Sequence, residues 1–495
     1  MKQRILYGTD ILLGYLTNTD YAEGVAVVSQ WIKQIEARKV IDKGTISILT
    51  HFVKTVELSR LRDFDVIEDM PKMMPALKAM ASLMPVQMSD IRSLLMQLNL
   101  LETGYAEVLI TENVLTHNLA RQRGTDDKVF TIDEFVERCV ADHRDLDLAR
   151  GVVLQEVPFG TLSLDDAFFT SFKEEYAPYY YEWFEKKRHD PVYVAKDKNG
   201  CLQALLKLKV ETEDEDYSNI WPRFMPARRL KISALKVEYT GQKLGERFLR
   251  IIFDEAIRSH VGEIYVTIFS SSRLKKRLIA MLMKWGFEKW GFKDGNEDVY
   301  CRPMQKITMP VAMEGYPFQS RKAKYFLVGV GGTFADILIP ATNLRKDRID
   351  YEPYKNAIRK ALVVDAQEAE GLKEGDVLLF YRRRTDGGSI VASGVVDGRY
   401  QSFANETAFL RRCQKRSIFS ADSLHDYWVK YDHHPVVVEF LHSYSFDNDV
   451  IDAERMREVG IDTIKLQNMH LVSITPKQFD ELIKNTDYEK DIVVD

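Results

Sequence analysis

Cysteine is scarce in this chain, which has four cysteines among 495 residues. Cys139, Cys201, Cys301 and Cys413 lie far apart, and no two of them form a C-x-x-C pair. The sequence therefore predicts neither a zinc ribbon nor a disulfide framework. Because disulfides persist mainly in oxidising compartments, this usage favours a reducing one, and we expect a cytoplasmic protein.

Long apolar runs are lacking as well. No stretch approaches the roughly 18 consecutive apolar residues that a membrane-spanning helix needs, so no membrane contact is expected. The N-terminal segment MKQRILYGTDILLGYL is interrupted by Asp10, and no small-residue cleavage site follows it. A signal peptide is therefore not predicted.

Positive charge is not in excess, since the formal net charge is −5. This excludes a globally basic nucleic-acid protein, and any nucleic-acid contact must use a local patch. The hydrophobic fraction of 45% is sufficient for packed cores rather than disorder. The length predicts about three domains, and the pattern places them at residues 1–145, 146–305 and 306–495.

The most informative segment is residues 230–256, LKISALKVEYTGQKLGERFLRIIFDEA. A β-branched run ends in a turn that carries Gly241 and Gly245, and an amphipathic helix follows at once. Free N–H groups and the dipole of a helix N-terminus attract anions, and glycine lets a phosphate approach closely. The pattern predicts a cofactor with a pyrophosphate. Both the P-loop and the Rossmann spacings fail here, and an ordinary connection that binds nothing stays open.

The downstream sequence supports this interpretation. Residues 263–301 read as a strand, a helix, the element Trp285-Gly286-Phe287 and a last strand. Over residues 150–305 the chain resembles the GNAT family of acetyl-CoA-dependent N-acyltransferases. The resemblance implies an acetyl-CoA site with Thr240, Lys243 and Gly245 at the anchor places of the loop. The implied cofactor-binding residues are Val237, Tyr239, Thr240, Gly241, Gln242, Lys243, Leu244, Gly245 and Glu246.

Catalytic residues are less well marked than the cofactor loop. The tyrosine that often protonates the leaving thiolate in this family falls at Leu282, and leucine cannot donate a proton. A general base must deprotonate the amine, and Glu238 is the nearest carboxylate. Glu238 also fits a solvated strand-end residue, and this is the favoured interpretation. The resemblance thus implies what is bound more firmly than what is done with it.

The first block, residues 1–145, alternates strands with helices, which predicts a parallel sheet. Its motifs Leu6-Tyr7-Gly8-Thr9-Asp10, Leu109-Ile110-Thr111-Glu112-Asn113 and VFTIDEF resemble the PIN-domain family. The resemblance implies carboxylates that hold Mg²⁺ or Mn²⁺. Asp10 matches the first, while the other places fall near His51 or Phe52, near Asp90, and at Asn113 beside Glu112. We expect a degenerate, structural domain, with Asp10 and Glu112 catalytic only if it is active.

The third block, residues 306–495, has short strands joined by glycine and aspartate turns, which suggests a small β-barrel. The segment Leu372-Lys373-Glu374-Gly375-Asp376-Val377 and the following strand resemble the PUA-like superfamily, particularly ASCH or EVE-type modules. The resemblance implies RNA binding. The candidate nucleic-acid contacts are Lys360, Arg382, Arg383, Arg384 and Arg412. A structural or protein-binding barrel with a solvated basic edge stays open.

Two further runs lie in the middle block. The aromatic run around Tyr179, Tyr180 and Tyr181 fits either one face of a packed helix or an acceptor pocket. The acidic run of residues 211–216 fits either a solvated loop or a lid that attracts a cationic amine.

The fold class expected is α/β and α+β multidomain: a PIN-like parallel sheet, a GNAT mixed sheet and a PUA-like barrel. The function expected is acetyl-CoA-dependent N-acetyltransfer to an amine, with an RNA-linked amine such as aminoacyl-tRNA, or a protein, as partner. A metal-dependent ribonuclease and a non-catalytic acetyl-CoA-binding regulator are the alternatives. A cofactor groove plugged by Trp285 or by Tyr179–Tyr181 would favour the regulator.

Overall fold

The structure, a computed structural model, does not describe every residue of the chain. The described residues are 2–17, 21–83, 89–143, 153–197, 200–238, 243–269, 274–306, 312–331, 338, 357–384, 387–414, 416, 419, 421–446, 451–466 and 471–495. Within these ranges, no helix is both long enough and apolar enough to cross a bilayer.

The described residues up to position 143 form one compact unit around a five-stranded parallel sheet with the order β3-β2-β1-β4-β5. The strands are β1 (Arg4–Tyr7), β2 (Arg38–Asp42), β3 (Asp65–Ile67), β4 (Val108–Ile110) and β5 (Val129–Phe130). The helices are α1 (Thr9–Thr17), α2 (Ala22–Gln34), α3 (Lys43–Phe52), α4 (Thr55–Leu58), α5 (Pro75–Leu83), α6 (Ser89–Glu102), α7 (Val114–Arg123) and α8 (Ile132–Asp142), with 3₁₀ turns at Ser59–Leu61 and Asp126–Lys128.

The predicted parallel sheet is therefore present. Strand β1 lies at its centre because its apolar residues are buried on both faces, as is typical of parallel sheets. Ile5 and Tyr7 join one hydrophobic core, and Leu6 joins a second core on the other face. Whether this unit is a PIN-like domain stays a prediction.

The second compact unit comprises the described residues from 153 onward, apart from those between 238 and 243, and contains two larger sheets. The first sheet has eight strands in the order β6-β7-β8-β10-β11-β13-β12-β9. Its strands are β6 (Val153–Pro158), β7 (Pro191–Lys196), β8 (Leu202–Glu211), β9 (Ile220–Trp221), β10 (Arg229–Val237), β11 (Glu263–Ile268), β12 (Glu288–Lys293) and β13 (Glu297–Pro303). Its helices are α9 (Thr170–Tyr176), α10 (Tyr180–Lys187), α11 (Leu244–Arg258) and α12 (Leu274–Lys284), with 3₁₀ turns at Phe159–Thr161 and Ala167–Phe169.

Helix α11 forms where the sequence predicts an amphipathic helix. Its apolar residues recur at helical spacing and are buried against the sheet; they are Leu244, Phe248, Leu249, Ile252, Phe253 and Ala256. Full burial of each large apolar side chain contributes about 1.5–3 kcal/mol. Leu282 of α12 enters the same core and is fully buried.

The second sheet of this unit has seven strands. Six follow the order β16-β19-β18-β17-β15-β21, and β20 pairs with β18. Its strands are β15 (Tyr325–Val330), β16 (Arg359–Val364), β17 (Val377–Arg384), β18 (Gly387–Tyr400), β19 (Val436–Ser445), β20 (Ile451–Asp452) and β21 (Leu471–Ile474), and a separate parallel pair joins β14 (Gln319–Ser320) to β22 (Val493–Val494). The helices are α13 (Ala312–Gly315), α14 (Glu406–Gln414), α15 (Ala421–Lys430), α16 (Ala453–Glu458), α17 (Pro476–Ile483) and α18 (Asp487–Asp491), with a 3₁₀ turn at Thr463–Lys465.

The two sheets share a hydrophobic core. Ile358 and Leu441 of the seven-stranded sheet pack in the core that contains α11. Tyr316 packs its ring against Phe253 at 5.0 Å, and its hydroxyl donates to the carbonyl of His442 at 2.9 Å. The acyltransferase-like and C-terminal parts thus form one packed body, and the proposed boundary at residue 305 divides two sheets that support each other.

Candidate cofactor site and the other predicted sites

Strands β10 and β11 separate partway along their length. They pair in parallel from Arg229↔Glu263 to Ile232↔Val266. Beyond this point β10 continues along β8, to Val237↔Ala204, and β11 continues along β13, to Ile268↔Asp298. A β-bulge between Ile232 and Ala234 accompanies the separation. We call the opening between 234–237 of β10 and 267–268 of β11 the strand wedge.

The wedge presents backbone groups that the sheet does not use, because the facing edges of the two strands do not pair with each other there. Buried peptide groups need hydrogen-bond partners. Such an edge can bind a ligand that itself carries amide groups.

Helix α11 begins just after β10 ends. Its first intrahelical hydrogen bond runs from the N–H of Arg247 to the carbonyl of Lys243, at 2.9 Å. The N–H groups of Leu244, Gly245 and Glu246 precede that bond and have no acceptor within the helix. Lys243 is the N-cap, with φ of 51° and a buried side chain. This is the helix N-terminus that the sequence predicted as an anion site.

Four of the predicted cofactor residues, Tyr239, Thr240, Gly241 and Gln242, lie outside the described residues. The other five surround the start of the helix: Val237 ends β10, and Lys243, Leu244, Gly245 and Glu246 open α11.

Gly245 faces the side chain of Met281 on α12. A Cβ atom at this position would lie 2.7 Å from the Sδ atom of Met281. A larger residue at position 245 would therefore require the flexible Met281 side chain to shift.

The side chain of Glu246 does not face a ligand. It is buried, and its carboxylate accepts from the backbone N–H of Arg359 and lies 3.5 Å from the Arg359 Nε. Burial opposes its ionisation, but the charges of Arg359, Lys243 and Arg416 outweigh this and hold the pKa of Glu246 below its ordinary value. Only the backbone N–H of Glu246 remains as a contribution to an anion site.

These groups fit coenzyme A. A helix N-terminus suits a pyrophosphate, and the unused edges of the wedge suit an amide-rich arm. Trp285 does not plug the wedge, since it packs against Tyr316 at 5.2 Å in the core. Of the aromatic run, Tyr179 and Tyr181 are exposed, and Tyr180 packs in a core with Phe159 and Phe184.

The predicted base, Glu238, lies at the β8 side of the wedge. Its N–H donates to the carbonyl of Gln203 at 2.8 Å, and its carboxylate is 3.2 Å from the Nζ of Lys236. The Lys236 Nζ also donates to the carbonyl of Phe168 at 2.8 Å. Leu282 offers no proton donor, as expected from its identity, and it lies inside the core.

A polar group that the sequence did not single out lies at the β11 side. The carboxylate of Glu297 accepts from the Thr267 hydroxyl at 2.6 Å and from the Lys293 Nζ at 2.8 Å. Tyr176 of α9 packs its ring edge-on against Phe269, at 5.2 Å. The sequence could have indicated this pair, because the turn Asp294-Gly295-Asn296 predicts a hairpin that brings Lys293 and Glu297 together.

The acidic run is not simply a solvated loop. Glu211 is buried, and its carboxylate accepts from the hydroxyls of Tyr217 at 3.0 Å and Tyr265 at 2.7 Å. Residues 212–214 and 216 are exposed.

The Asp10 site differs from the arrangement that a metal needs. The Asp10 carboxylate accepts from the Thr111 hydroxyl and the Glu112 N–H, both at 2.8 Å. Burial raises its pKa in spite of these bonds. The carboxylate of Glu112 accepts from the N–H of Ile132 at 2.9 Å, at the start of α8.

Of the places that the resemblance gave for further metal ligands, the side chain of Asp90 lies outside the described residues, and Asn113 caps α7. His51 and Phe52 are exposed at the far end of α3. The side chains that meet Thr9 are instead neutral: Thr45, Ser93 and Gln97, at 2.9, 3.0 and 3.1 Å.

Among the described residues no group of three His, Cys, Asp or Glu side chains could hold a metal ion. Because Mg²⁺ and Mn²⁺ prefer several charged oxygen ligands, these residues do not fit either ion.

Two predicted nucleic-acid contacts are wrong. Lys360 is 1% exposed, and its Nζ donates to the carbonyl of Leu338. Arg412 is buried over the ring of Tyr400, with a guanidinium nitrogen 3.7 Å from the Glu439 carboxylate. Both side chains are used inside the protein and cannot reach a phosphate.

The arginines of β17 remain as candidate nucleic-acid contacts. Arg383 is exposed and Arg382 is half-buried, whereas the side chain of Arg384 lies outside the described residues.

Comparisons with known proteins give similarities in structure alone. No family model matches the chain, and no curated protein matches its sequence. The ASCH protein of Zymomonas mobilis is similar to 35% of this chain over 99% of its own length, with 12% identity and a TM-score of 0.24.

Two acyltransferase-related structures are also similar to part of the chain. A GNAT-family acetyltransferase from Listeria monocytogenes 4b F2365 matches 27% of this chain and 76% of its own, with 14% identity and a TM-score of 0.21. Arabidopsis thaliana Naa50, solved with the bisubstrate analogue CoA-Ac-MVNAL, matches 30% and 97%, with 18% identity and a TM-score of 0.22.

Proposed function

We propose that this protein is an acetyl-CoA-dependent N-acetyltransferase. The observation that carries the proposal is the separation of β10 and β11 after Ile232 and Val266, with the N-terminus of α11 at the mouth of the opening. A parallel strand pair that parts beside a helix N-terminus offers peptide edges and an anion site together.

Residues of the chain would hold the cofactor in two ways. The N–H groups of Leu244, Gly245 and Glu246, with the charge of Lys243, would bind the pyrophosphate. The edge of β10 up to Val237 would hydrogen-bond the amide arm. Coenzyme A supplies the acetyl group as a reactive thioester. The protein then positions an amine against that thioester, which alone accelerates such reactions strongly.

The acceptor we propose is an RNA-linked amine such as aminoacyl-tRNA, in the cytoplasm. Support comes from Arg382 and Arg383 on β17, in a sheet that shares a core with the acyltransferase-like sheet. Arginine side chains at the surface bind phosphates. An alternative acceptor is a protein amine. The three-part organisation at residues 1–145, 146–305 and 306–495 belongs to the same proposal.

A regulator that binds acetyl-CoA without turnover is the second candidate, favoured by the apolar Leu282 in the core of α12. The ribonuclease alternative is not favoured, because the residues around Asp10 do not fit a divalent metal ion.

Calorimetric titration with acetyl-CoA tests the proposal. We expect one site per chain with a dissociation constant in the micromolar range, about −8 kcal/mol. The Lys243→Glu variant should bind at least tenfold more weakly, since it reverses a charge beside the phosphates. A flat titration of the folded wild-type protein would remove both the transferase and the regulator.

A further inference from the structure

Glu297 lies beside the point where β10 and β11 part. Its carboxylate accepts from the hydroxyl of Thr267 at 2.6 Å. Thr267 is the first residue of β11 beyond Val266, the last residue that pairs with β10. The carboxylate is therefore fixed at the β11 side of the strand wedge, beside the point where the strands part.

The buried carboxylate is paired with a cation. Glu297 is 4% exposed, and the Nζ of Lys293 lies 2.8 Å from its second oxygen. Burial lowers the pKa of Lys293, but the bonds to Glu297 and Asp294 outweigh this and raise it, so the ammonium persists. Each oxygen of Glu297 thus has one donor in the described part of the chain, whereas a carboxylate has about four acceptor positions. An amine N–H can be bound in addition.

Tyr176 lies at the same end of β11. Tyr176, at the end of α9, packs its ring against Phe269, the residue that follows β11. Burial, followed by the charge of Glu297, raises the pKa of Tyr176, so its hydroxyl stays protonated at neutral pH.

The segment that carries Tyr176 crosses the wedge on the face opposite α11. Phe168, just before α9, packs with Ala234 in one core, and its carbonyl accepts from Lys236 on β10. Leu235 and Val237 pack instead with α11. The cofactor helix and the Tyr176 segment therefore lie on opposite faces, and an acceptor would enter on the Tyr176 face.

Glu238 is less suited to proton transfer than Glu297. Its side chain is 29% exposed and that of Glu297 is 6% exposed, and its backbone is bonded to β8 on the other side of the wedge. A carboxylate that is shielded from water and oriented by two donors is the better-positioned base.

We propose that Glu297 is the general base of this transferase and that Tyr176 relays the proton to the leaving sulfur; the inference rests on the proposed function. The amine nitrogen attacks the thioester carbonyl, a C–N bond forms and the C–S bond breaks. The amine proton goes to Glu297. The Tyr176 hydroxyl gives its proton to the thiolate and is reprotonated from Glu297, so protons and charge balance. This assignment supplies the donor that Leu282 cannot provide.

The test compares Glu297→Gln, Tyr176→Phe and Glu238→Gln with the wild type and with Glu185→Gln, an exposed glutamate on α10. Each protein receives acetyl-CoA and, in separate reactions, ethylamine, spermidine, a lysine-containing peptide and aminoacyl-tRNA. Free thiol release is followed from pH 6 to 9, and acetyl-CoA affinity is measured by calorimetry.

We expect kcat of Glu297→Gln to fall about 100-fold or more, with loss of its pH dependence and acetyl-CoA affinity within about twofold. Tyr176→Phe should lose about tenfold in kcat or more, and Glu185→Gln should match the wild type. If Glu297→Gln and Tyr176→Phe both keep full wild-type turnover, the inference is overturned and the proposed transferase activity is not. A loss of turnover confined to Glu238→Gln has the same meaning. Wild-type binding of acetyl-CoA without thiol release from any amine overturns the transferase, and the base falls with it.

Discussion

Two buried carboxylates in this chain lie in the first turn of a helix that follows a central strand, and their surroundings differ. Asp10 follows β1, and its carboxylate accepts from neutral donors, among them the Thr111 hydroxyl and the Glu112 N–H. Glu246 follows β10 and is surrounded by the charges of Arg359, Lys243 and Arg416. Burial raises the pKa of Asp10, whereas cations hold that of Glu246 below its ordinary value.

The two strand ends differ in whether polar groups remain available for a ligand. We call the end of β1, where they are occupied, closed, and the end of β10, where they are available, open. At β1 the Asp10 carboxylate already accepts from the Thr111 hydroxyl and the Glu112 N–H, and a Cβ atom on Gly8 would lie 2.3 Å from the Asp10 Oδ1. At β10 the strands part, and α11 begins with N–H groups that have no acceptor in the helix. The carboxyl end of a parallel strand becomes a ligand site only where such groups are left for a ligand.

The largest expected difference between the two sites is in the loss of stability when each carboxylate is replaced by its amide. Glu246→Gln leaves Arg359 facing an uncharged amide in a buried setting, and we expect it to lower the free energy of unfolding by about 3 kcal/mol. Asp10→Asn exchanges a buried charge for an amide and should cost at most about 1 kcal/mol. Guanidinium-induced unfolding of each compact unit gives both values.

Matched variants make the result specific. Arg359→Ala alone and together with Glu246→Gln completes a double-mutant cycle, in which strong coupling is expected because the two side chains are in contact. Equal losses for Glu246→Gln and Asp10→Asn, or additive losses in the cycle, would show that the charged environment of Glu246 has no energetic consequence.

These contacts also show what sequence could and could not predict. The β10–α11 unit was predictable because its signals are local: a β-branched run, glycines and apolar spacing. The assignment of Lys360 to a nucleic-acid surface is wrong because its strand is buried along almost all of its length. That burial depends on tertiary packing, and a lysine in the sequence gives no sign of it. Glu297 was missed because its key partner, Thr267, lies 30 positions away in the sequence.

His442 is a third buried titratable group, and it should make the stability of the protein depend on pH. It is fully buried; burial first, and then the charges of Arg250 and Lys360, hold its pKa well below 6.5. Below about pH 6.5 the unfolded chain takes up a proton that the folded protein refuses, so stability falls as the pH falls. We expect this residue to cost about 2 kcal/mol at pH 5 relative to pH 7.

The matched control is His442→Gln, whose stability should fall less over the same range. Unfolding midpoints of the two proteins at pH 5, 6 and 7 give the difference. Parallel pH dependence of both proteins would mean that the pKa of His442 is not lowered in the folded protein.

The central claim is that the open strand end at α11, and not the closed one at α1, binds the cofactor. Hydrogen–deuterium exchange with and without saturating acetyl-CoA reads both ends in one experiment. We predict slower exchange for the amides of residues 244–249 and unchanged exchange for residues 9–16. Protection at residues 9–16, or unchanged exchange at residues 244–249 under saturation, would contradict the claim.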